Sequence, residues 1–275
     1  MTIALDAHYT IGKLHLYCED YVCHGWKPFP HLILTDGCSA SPDSDVGARL
    51  LTLNARRLLP RFALTAAGEA GQAAPHWRLG RQIVRRAARQ ARELGLRPEA
   101  LDATLLIAWC DGATVYAHLY GDGCIAVRRV AGAMSVVQIE YAENAPYYLS
   151  YLLDPERWAF YREAIGDPAT AQSVRYLGET GESTRREHFA APTVFSFDLA
   201  TFPVVAVATD GLASFMNVDT GERGAVLDVA RTLLDFHDPN DDFVKLRLHE
   251  VLIEYGRQRL FNLDDLGLGV FVRTN

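Results

Sequence analysis

Acidic residues recur at four widely separated places in this sequence, each close to an apolar run. They are Glu19-Asp20, Asp36-Gly37, Asp210-Gly211 and Asp264-Asp265. The second and third follow runs that are typical of buried β-strands, and the fourth precedes such a run. Carboxylates crowded at strand ends repel one another unless a cation holds them, and their oxygens are the ligands that Mg²⁺ and Mn²⁺ prefer. If folding brings these residues together, the sequence predicts a metal-dependent hydrolase.

No other catalytic motif competes with this interpretation. The sequence lacks the glycine-rich nucleotide-binding patterns, the His-Glu-x-x-His zinc motif and the Gly-x-Ser-x-Gly nucleophile turn. It also lacks the Cys-x5-Arg loop of thiol phosphatases, since five residues ending in Asp43 follow Cys38 and no arginine comes directly after them. Hydrolysis of a phosphate monoester at a metal centre needs no protein nucleophile, because divalent ions activate water and neutralise the phosphate.

Composition narrows the function classes. The chain has 275 residues, of which 49% are hydrophobic and 22% charged, as in an ordinary globular protein. A formal net charge of −7 argues against a nucleic-acid partner, so we interpret the arginine-rich face of residues 78–92 as solvated surface. The sequence has no apolar run of membrane-spanning length, no signal-peptide pattern and no zinc-like cysteine spacing. We therefore expect a cytoplasmic protein with reduced thiols and no membrane partner.

The first third of the chain contains predicted strands and the first predicted helix. We expect short strands at residues 2–7 and 13–17 and a buried strand at 32–35. A helix should run from about Asp45 to Pro60, followed by a loop at 66–74.

The middle of the chain combines an amphipathic helix with a β-meander. Apolar residues recur at helical spacing over 76–94, and Asp111-Gly112 has the composition of a two-residue hairpin turn. That pair is a control for the metal-site interpretation, because Asp-Gly pairs are also common in turns that bind no metal. The stretch 143–192 is interpreted as irregular, with a short helix near 156–165 and an exposed loop at 178–188.

Two further strands, two helices and a closing strand follow. The strands are expected at 193–199 and 204–209, the helices at 223–236 and 241–260, and the last strand at 267–272. Meanders with helices in pairs favour an α+β fold built on antiparallel sheets over a parallel βαβ design.

Taken in chain order, the motifs resemble those of the protein phosphatase 2C family of metal-dependent Ser/Thr phosphatases. The first bacterial motif, Gly-x-Val-Arg-x-x-Asn-Glu-Asp, is similar to the stretch from Gly12 to Asp20. The second, an apolar strand and Asp-Gly before a helix that opens with Gly-Ala, is similar to Asp36-Gly37 and Gly47-Ala48.

Three more motifs follow in the family's order. Thr-Leu leading into Gly-Asp resembles Thr104-Leu105 with Gly121-Asp122, and Ser-Asp-Gly-Leu resembles the stretch from Thr209 to Leu212. Asp-Asn-Ile-Thr before the closing strand is similar to the stretch from Asp264 to Gly267. Each motif alone is weak, but five in the correct order are collectively strong.

The resemblance implies a fold and a ligand set. The fold is a four-layer α-β-β-α sandwich of two antiparallel sheets flanked by helix pairs, in a single catalytic domain over 1–275 with a divergent segment at 143–192. Two Mn²⁺ or Mg²⁺ ions are implied, with a weaker third. The implied metal ligands are Glu19, Asp36, the carbonyl of Gly37, Asp122, Asp210 and Asp264. Of these, Asp36 would bridge the first two ions, Asp122 with Asp210 would serve the third, and Asp20 would order the attacking water.

The sequence departs from the family pattern where the substrate is held. His15 stands at the place of a frequent phosphate-binding arginine, and Cys124 at the place of another. We predict that the His15 imidazolium contacts the phosphate instead. The expected substrate is a phosphorylated protein, a Ser/Thr kinase or its target. A pseudophosphatase that binds phosphoproteins without turnover, and a hydrolase of another small phosphoester, stay open as alternatives.

Overall fold

The computed structural model describes residues 2–66, 73–165, 172–188 and 191–274. Up to the middle of the chain, these ranges form β1 (Thr2–Thr10), β2 (Tyr21–Gly25), β3 (His31–Thr35), α1 (Ser44–Ala66), α2 (Ala73–Glu93), β4 (Leu105–Cys110), β5 (Thr114–Tyr120), β6 (Gly123–Arg128) and β7 (Met134–Tyr141). They continue with α3 (Pro155–Ile165), β8 (Gln172–Gly178), β9 (Gly181–Glu187), β10 (Thr193–Asp198), β11 (Val204–Ala208), β12 (Phe215–Asn217), α4 (Val226–Leu233), α5 (Phe243–Arg257), β13 (Leu260–Asn262) and β14 (Leu266–Thr274).

The strands form two large antiparallel sheets and one small one. The larger sheet has the order β1-β14-β11-β6-β7-β8-β9, and the smaller of the two has the order β10-β5-β4-β3-β2. A two-stranded sheet pairs β12 with β13. Sequence neighbours thus pair as meanders, while β14 is inserted between β1 and β11 and brings the two ends of the chain together.

The two large sheets stack face to face, and a helix pair covers the outer face of each. Alternation along β3 demonstrates the layering, because Leu32 and Leu34 face the core between the sheets while Ile33 faces α1 and α2. On the other side, Val205 and Val207 of β11 face the same central core, and Ala206 faces α4 and α5. The predicted α+β sandwich of four layers is therefore confirmed. Among the described helices, none combines the length and the apolar character needed to cross a membrane.

The predicted strand at 13–17 is wrong. This stretch is an extended loop whose Lys13 and Leu14 N–H groups donate to the carbonyls of Asn262 and Leu263, at 2.8 and 3.1 Å. Leu16 is 96% exposed, so this apolar residue does not contact the core as a strand residue would. The strand of this region is β2, which pairs with β3 instead.

The first helix was predicted too short. Pro60 lies inside α1, although it cannot donate the backbone hydrogen bond of a helical residue. Leu58, Leu59 and Phe62 around it are buried in the core shared with α2, and this packing offsets the missing bond. The loop predicted at 66–74 lies mainly outside the described residues.

The predicted loop at 178–188 is also wrong. These residues contribute to a β8–β9 hairpin in which Gly178 pairs with Gly181. Side chains along β9 are almost all exposed, as predicted, so the strand carries no apolar alternation that would reveal it in the sequence. The short helix predicted near 156–165 is confirmed as α3.

Candidate metal centre

Asp36 directly follows β3 and is fixed by the strand beside it. Its N–H donates to the Thr104 hydroxyl at 3.1 Å, and its carbonyl accepts the Thr104 N–H at 2.8 Å. A Cβ added to Gly37 would lie 2.9 Å from the carbonyl carbon of Ser44 at the start of α1. Only glycine therefore lets α1 begin this close to the end of β3, which explains the Asp-Gly pair physically.

Asp210 follows β11 and opens a 3₁₀ turn over Asp210–Ala213. A Cβ on Gly211 would lie 1.8 Å from the carbonyl oxygen of Asp265, so the backbones of these two acidic motifs are in direct contact. This second Asp-Gly pair also serves a close backbone approach. The fourth and fifth motifs are therefore held together by packing that no side chain at position 211 would allow.

Asp265 ties the first motif to the last. Its buried carboxylate accepts the N–H groups of Gly12 and Glu19 at 2.7 and 2.6 Å. The Ser44 hydroxyl donates to the Glu19 carboxylate, and the Thr209 hydroxyl donates to Asp20 at 2.8 Å. The loop from Gly12 to Asp20 is thereby anchored to three other segments of the site.

The predicted ligands of the central and C-terminal motifs share one neighbourhood. Asp122, Asp210 and Asp264 line a cavity of about 380 Å³, and Asp36 is close enough to Asp210 and Asp122 for their charges to act on its carboxyl. Burial, followed by repulsion from Asp20, Asp210 and its other neighbours, raises the pKa of Asp36 well above its usual range. The same two causes, burial first and then the Asp264 charge, raise the pKa of Asp210 to about 6.

Asp20 and Asp122 both combine a raised pKa with a buried oxygen that lacks a hydrogen-bond partner among the described residues. Burial and like charge raise the pKa of both carboxyls well above the usual range. Oδ1 of each is buried and has no hydrogen-bond partner among the described residues. Buried, unpaired anionic oxygens are costly, and a divalent cation is the group that relieves both the desolvation and the repulsion.

The chemistry of this donor set therefore fits Mg²⁺ or Mn²⁺. The described residues, as they are placed, contain no group of three His, Cys, Asp or Glu side chains that could hold an ion. Glu19 lies at the edge of this cluster, where burial raises the pKa of its carboxyl despite the Ser44 hydrogen bond.

His15 lies between two carboxylates. Its Nε2 is 3.2 Å from Oδ1 of Asp264, and its Nδ1 is 3.2 Å from Oδ2 of Asp265. Burial lowers the pKa of His15, but the neighbouring carboxylates outweigh this effect and raise the pKa overall. Contact between His15 and a substrate phosphate stays a prediction, and such contact would compete with both carboxylates.

The control residue Asp111 behaves as a turn residue. Its exposed carboxylate accepts the N–H groups of Ala113 and Thr114 at 2.9 and 2.8 Å, which caps the β4–β5 hairpin. It does not line the acidic cavity. An Asp-Gly pair alone therefore does not identify a candidate ligand. The candidate ligands differ from Asp111 because they belong to the ordered motifs at strand ends.

The divergent segment supplies residues that the sequence motifs did not reveal. Asp102 is buried and accepts hydrogen bonds from Arg157 Nη2 at 3.0 and 2.8 Å, from Ser150 at 2.6 Å and from Ser41 at 3.1 Å. Tyr148 is buried close to the Cys38 thiol, which follows the Asp36-Gly37 pair. No motif spacing links these residues, so only the fold shows that the segment from 143 to 165 packs against Asp102 and Cys38 and that its Asn144 lines the cavity.

The chain belongs to the protein phosphatase 2C family, since the model of the family described as Protein phosphatase 2C matches residues 13–253. No curated protein matches the sequence. Similar solved structures include PppA, a key regulatory component of T6SS in Pseudomonas aeruginosa, at 13% identity and a TM-score of 0.58, over 99% of this chain and 98% of that one.

Two further structures resemble the chain over its full length. The Mycobacterium tuberculosis serine/threonine phosphatase PstP/Ppp is 15% identical with a TM-score of 0.55, and 100% of both chains is covered. The catalytic domain of PstP in complex with 2 manganese ions is 17% identical with a TM-score of 0.54, again with 100% of both chains covered. At these identities the likeness establishes the fold, which agrees with the resemblance in the motifs.

Proposed function

We propose that this protein is a metal-dependent phosphoprotein phosphatase that hydrolyses phosphoserine and phosphothreonine by metal-activated water. One observation carries the proposal. Five carboxylates from distant motifs share one neighbourhood, and burial together with repulsion from neighbouring carboxylates raises the pKa of each: Asp20, Asp36, Asp122, Asp210 and Asp264. Membership of the protein phosphatase 2C family supports the same chemistry.

The ligand roles follow the motif order. Asp36 would hold both of two Mn²⁺ or Mg²⁺ ions, with Asp210 and Asp264 on one and Glu19 and the Gly37 carbonyl on the other. Asp122 with Asp210 would hold a weaker third. When bound, such ions supply a water of lowered pKa and neutralise the charge of a phosphoryl group. The single-domain assignment over 1–275 and a cytoplasmic location belong to the same proposal.

Asp20 would orient the attacking water, and its hydrogen bonds support this role. Thr209 fixes Oδ2 of its carboxylate at 2.8 Å, and the N–H of Gly267 in turn donates to the Thr209 hydroxyl at 2.9 Å. Oδ1 is left without a partner among the described residues. This oxygen can accept a proton from the attacking water, while Oδ2 keeps the carboxylate in place.

The test is turnover of p-nitrophenyl phosphate and of a phosphoserine peptide panel as Mn²⁺ is titrated. We expect metal-dependent hydrolysis of both, which Asp36→Asn abolishes. Asp111→Asn is the matched control, because it changes the same atoms in another Asp-Gly pair that lies at an exposed turn. Hydrolysis of p-nitrophenyl phosphate alone would favour a small phosphoester substrate.

A pseudophosphatase is the second candidate, and two observations favour it. Three carboxylates do not approach closely enough to hold an ion within the described part of the chain. Histidine and cysteine also replace arginine at positions 15 and 124, and Cys124 is buried in the core under α4 and α5. Phosphopeptide binding without turnover at saturating Mn²⁺ would select this function. In either case the proposed partner is a phosphorylated protein, a Ser/Thr kinase or its target.

A further inference from the structure

We propose that Arg223 is the phosphate-binding cation of this site and contacts the phosphoryl group of the substrate directly. This inference rests on the proposed phosphatase function and adds a residue that none of the motifs contains. Arg223 lines the acidic cavity and also the adjacent cavity of about 570 Å³. It therefore stands on the wall that the two cavities share.

The backbone around Arg223 is fixed to the small sheet formed by β12 and β13. Residues 222–224 run antiparallel to β12, with the Asn217 N–H donating to the Glu222 carbonyl and the Gly224 N–H to the Phe215 carbonyl, both at 2.9 Å. Met216 pairs with Arg223 as an isolated bridge between these two segments.

This sheet also positions Asp210 and Asp264. The 3₁₀ turn that begins at Asp210 leads directly into β12, and β12 pairs with β13 just before Asp264. The Asp264 N–H donates to the Ser214 hydroxyl at 3.2 Å, which closes the frame. The backbone at Arg223 is consequently held in a fixed relation to the two segments that carry these carboxylates.

The other cations near these cavities already have carboxylate partners. His15 faces Asp264 and Asp265, as described above. Arg175, in the adjacent cavity, pairs with Glu140 at 3.0 Å and with Glu182 at 2.9 Å. Arg223 forms no ion pair with any residue that the structure describes, and its side chain is exposed.

An arginine without a carboxylate partner among the described residues can bind the anionic phosphate of the substrate. A phosphate monoester is anionic, and the acidic cavity presents Asp122, Glu140, Asp210 and Asp264 to it. Bound ions offset part of this charge, but a guanidinium adds a bidentate, permanently charged contact to the phosphoryl oxygens. Position 15 lacks an arginine, and Arg223 supplies one from a different element of the fold.

The experiment compares the Mn²⁺-loaded wild type with Arg223→Ala, Arg223→Lys and the control Arg257→Ala. Arg257 is an exposed arginine at the end of α5 that lines neither cavity. We expect Arg223→Ala to raise KM for a phosphoserine peptide about tenfold and to weaken inorganic phosphate binding, measured by calorimetry, by a similar factor. Lysine should restore part of both, since it keeps the charge but loses the bidentate geometry.

The outcomes separate this inference from the proposed function. If the wild type turns over substrate and Arg223→Ala keeps the KM and phosphate affinity of Arg257→Ala, the inference is overturned and the phosphatase stands. If the wild type does not turn over, the phosphatase fails, and the calorimetric comparison still decides whether Arg223 binds phosphate. A lower kcat with unchanged KM and unchanged phosphate affinity would also overturn the inference. Equal melting temperatures of the Arg223 and Arg257 variants establish that both are folded.

Discussion

The carboxylate of Asp265 accepts the backbone N–H of Glu19 at 2.6 Å, although 246 positions separate the two residues. Its other oxygen accepts the Gly12 N–H at 2.7 Å. Asp265 is only 1% exposed, whereas 40% of the neighbouring Asp264 side chain is exposed. Of two adjacent aspartates, one thus organises the loop that carries Glu19, and the other is left facing the cavity as a candidate ligand.

Asp265→Asn should therefore destabilise the protein. An amide can accept through only one oxygen, so one of the two buried N–H groups loses its acceptor, at a cost of about 2 kcal/mol in the free energy of unfolding. Asp264→Asn should leave stability nearly unchanged but weaken Mn²⁺ binding. Denaturant unfolding with and without Mn²⁺ separates the two effects. Equal loss of stability in both variants would contradict the assignment of Asp265 as a structural residue and Asp264 as a metal ligand.

Asp36→Asn should abolish Mn²⁺ binding and turnover together, because Asp36 is the proposed bridge between two ions. Without metal, the variant should melt at a higher temperature than the wild type, since a neutral amide removes one of several repelling carboxylates. Asp122→Asn should spare the first two ions and lower the rate. Unchanged Mn²⁺ binding in the Asp36 variant, measured by calorimetry, would disprove its role as the bridging ligand.

Arg157→Met should loosen the divergent segment from the rest of the site. The substitution leaves the buried Asp102 carboxylate with its two serine partners only, and we expect a loss of about 2 kcal/mol. Mn²⁺ affinity should fall as well, because Ser41 and the Asp102 backbone carbonyl, which accepts the Cys38 N–H at 2.8 Å, fix the loop after Asp36.

Arg162→Met is the control on the same helix, since Arg162 is exposed and lies over Trp158. It should cost at most about 0.5 kcal/mol. If both arginine variants unfold at the same denaturant concentration as the wild type, the ion pair with Asp102 contributes nothing to docking of the segment.

The buried histidine pair His76 and His118 predicts a pH dependence of stability. Their Nδ1 atoms are 3.3 Å apart, and burial lowers the pKa of His118 to about 4. The unfolded chain takes up a proton near pH 6.5 and the folded chain does not, so this contribution is complete above pH 6.5 and is lost as the pH falls toward 4. The full contribution of His118 to the free energy of unfolding is about 3 kcal/mol.

Urea unfolding at pH 7.5 and pH 5 measures this dependence. His118→Phe keeps a ring in the same place and should reduce the dependence to the part that His76 contributes, whereas a substitution at the exposed His249 should leave it unchanged. Identical pH dependence in His118→Phe and the wild type would show that the pKa of His118 does not differ between the folded and the unfolded chain.

Local patterns in the sequence correctly predicted much of the fold. Apolar residues at helical spacing predicted α2, and the Asp-Gly turn predicted the β4–β5 hairpin, because both elements depend on contacts between residues a few positions apart. Motif order likewise predicted the four layers. The β8–β9 hairpin was missed because exposed side chains leave no periodic signal, although its backbone pairing is complete.

The sequence by itself determined the family and the set of carboxylates, since strand-end motifs in a fixed order are a property of the chain. Only the tertiary structure decided what each acidic residue does. Asp265 became a buried acceptor for Glu19, and Asp102 the acceptor that holds the divergent segment, while Arg223 lies beside the cavity with no ion pair to a described residue. These roles arise where β14 inserts between β1 and β11, and where the sheet of β12 and β13 brings the segments around Asp210, Arg223 and Asp264 together. They depend on contacts across hundreds of positions, whose partners no local spacing can specify.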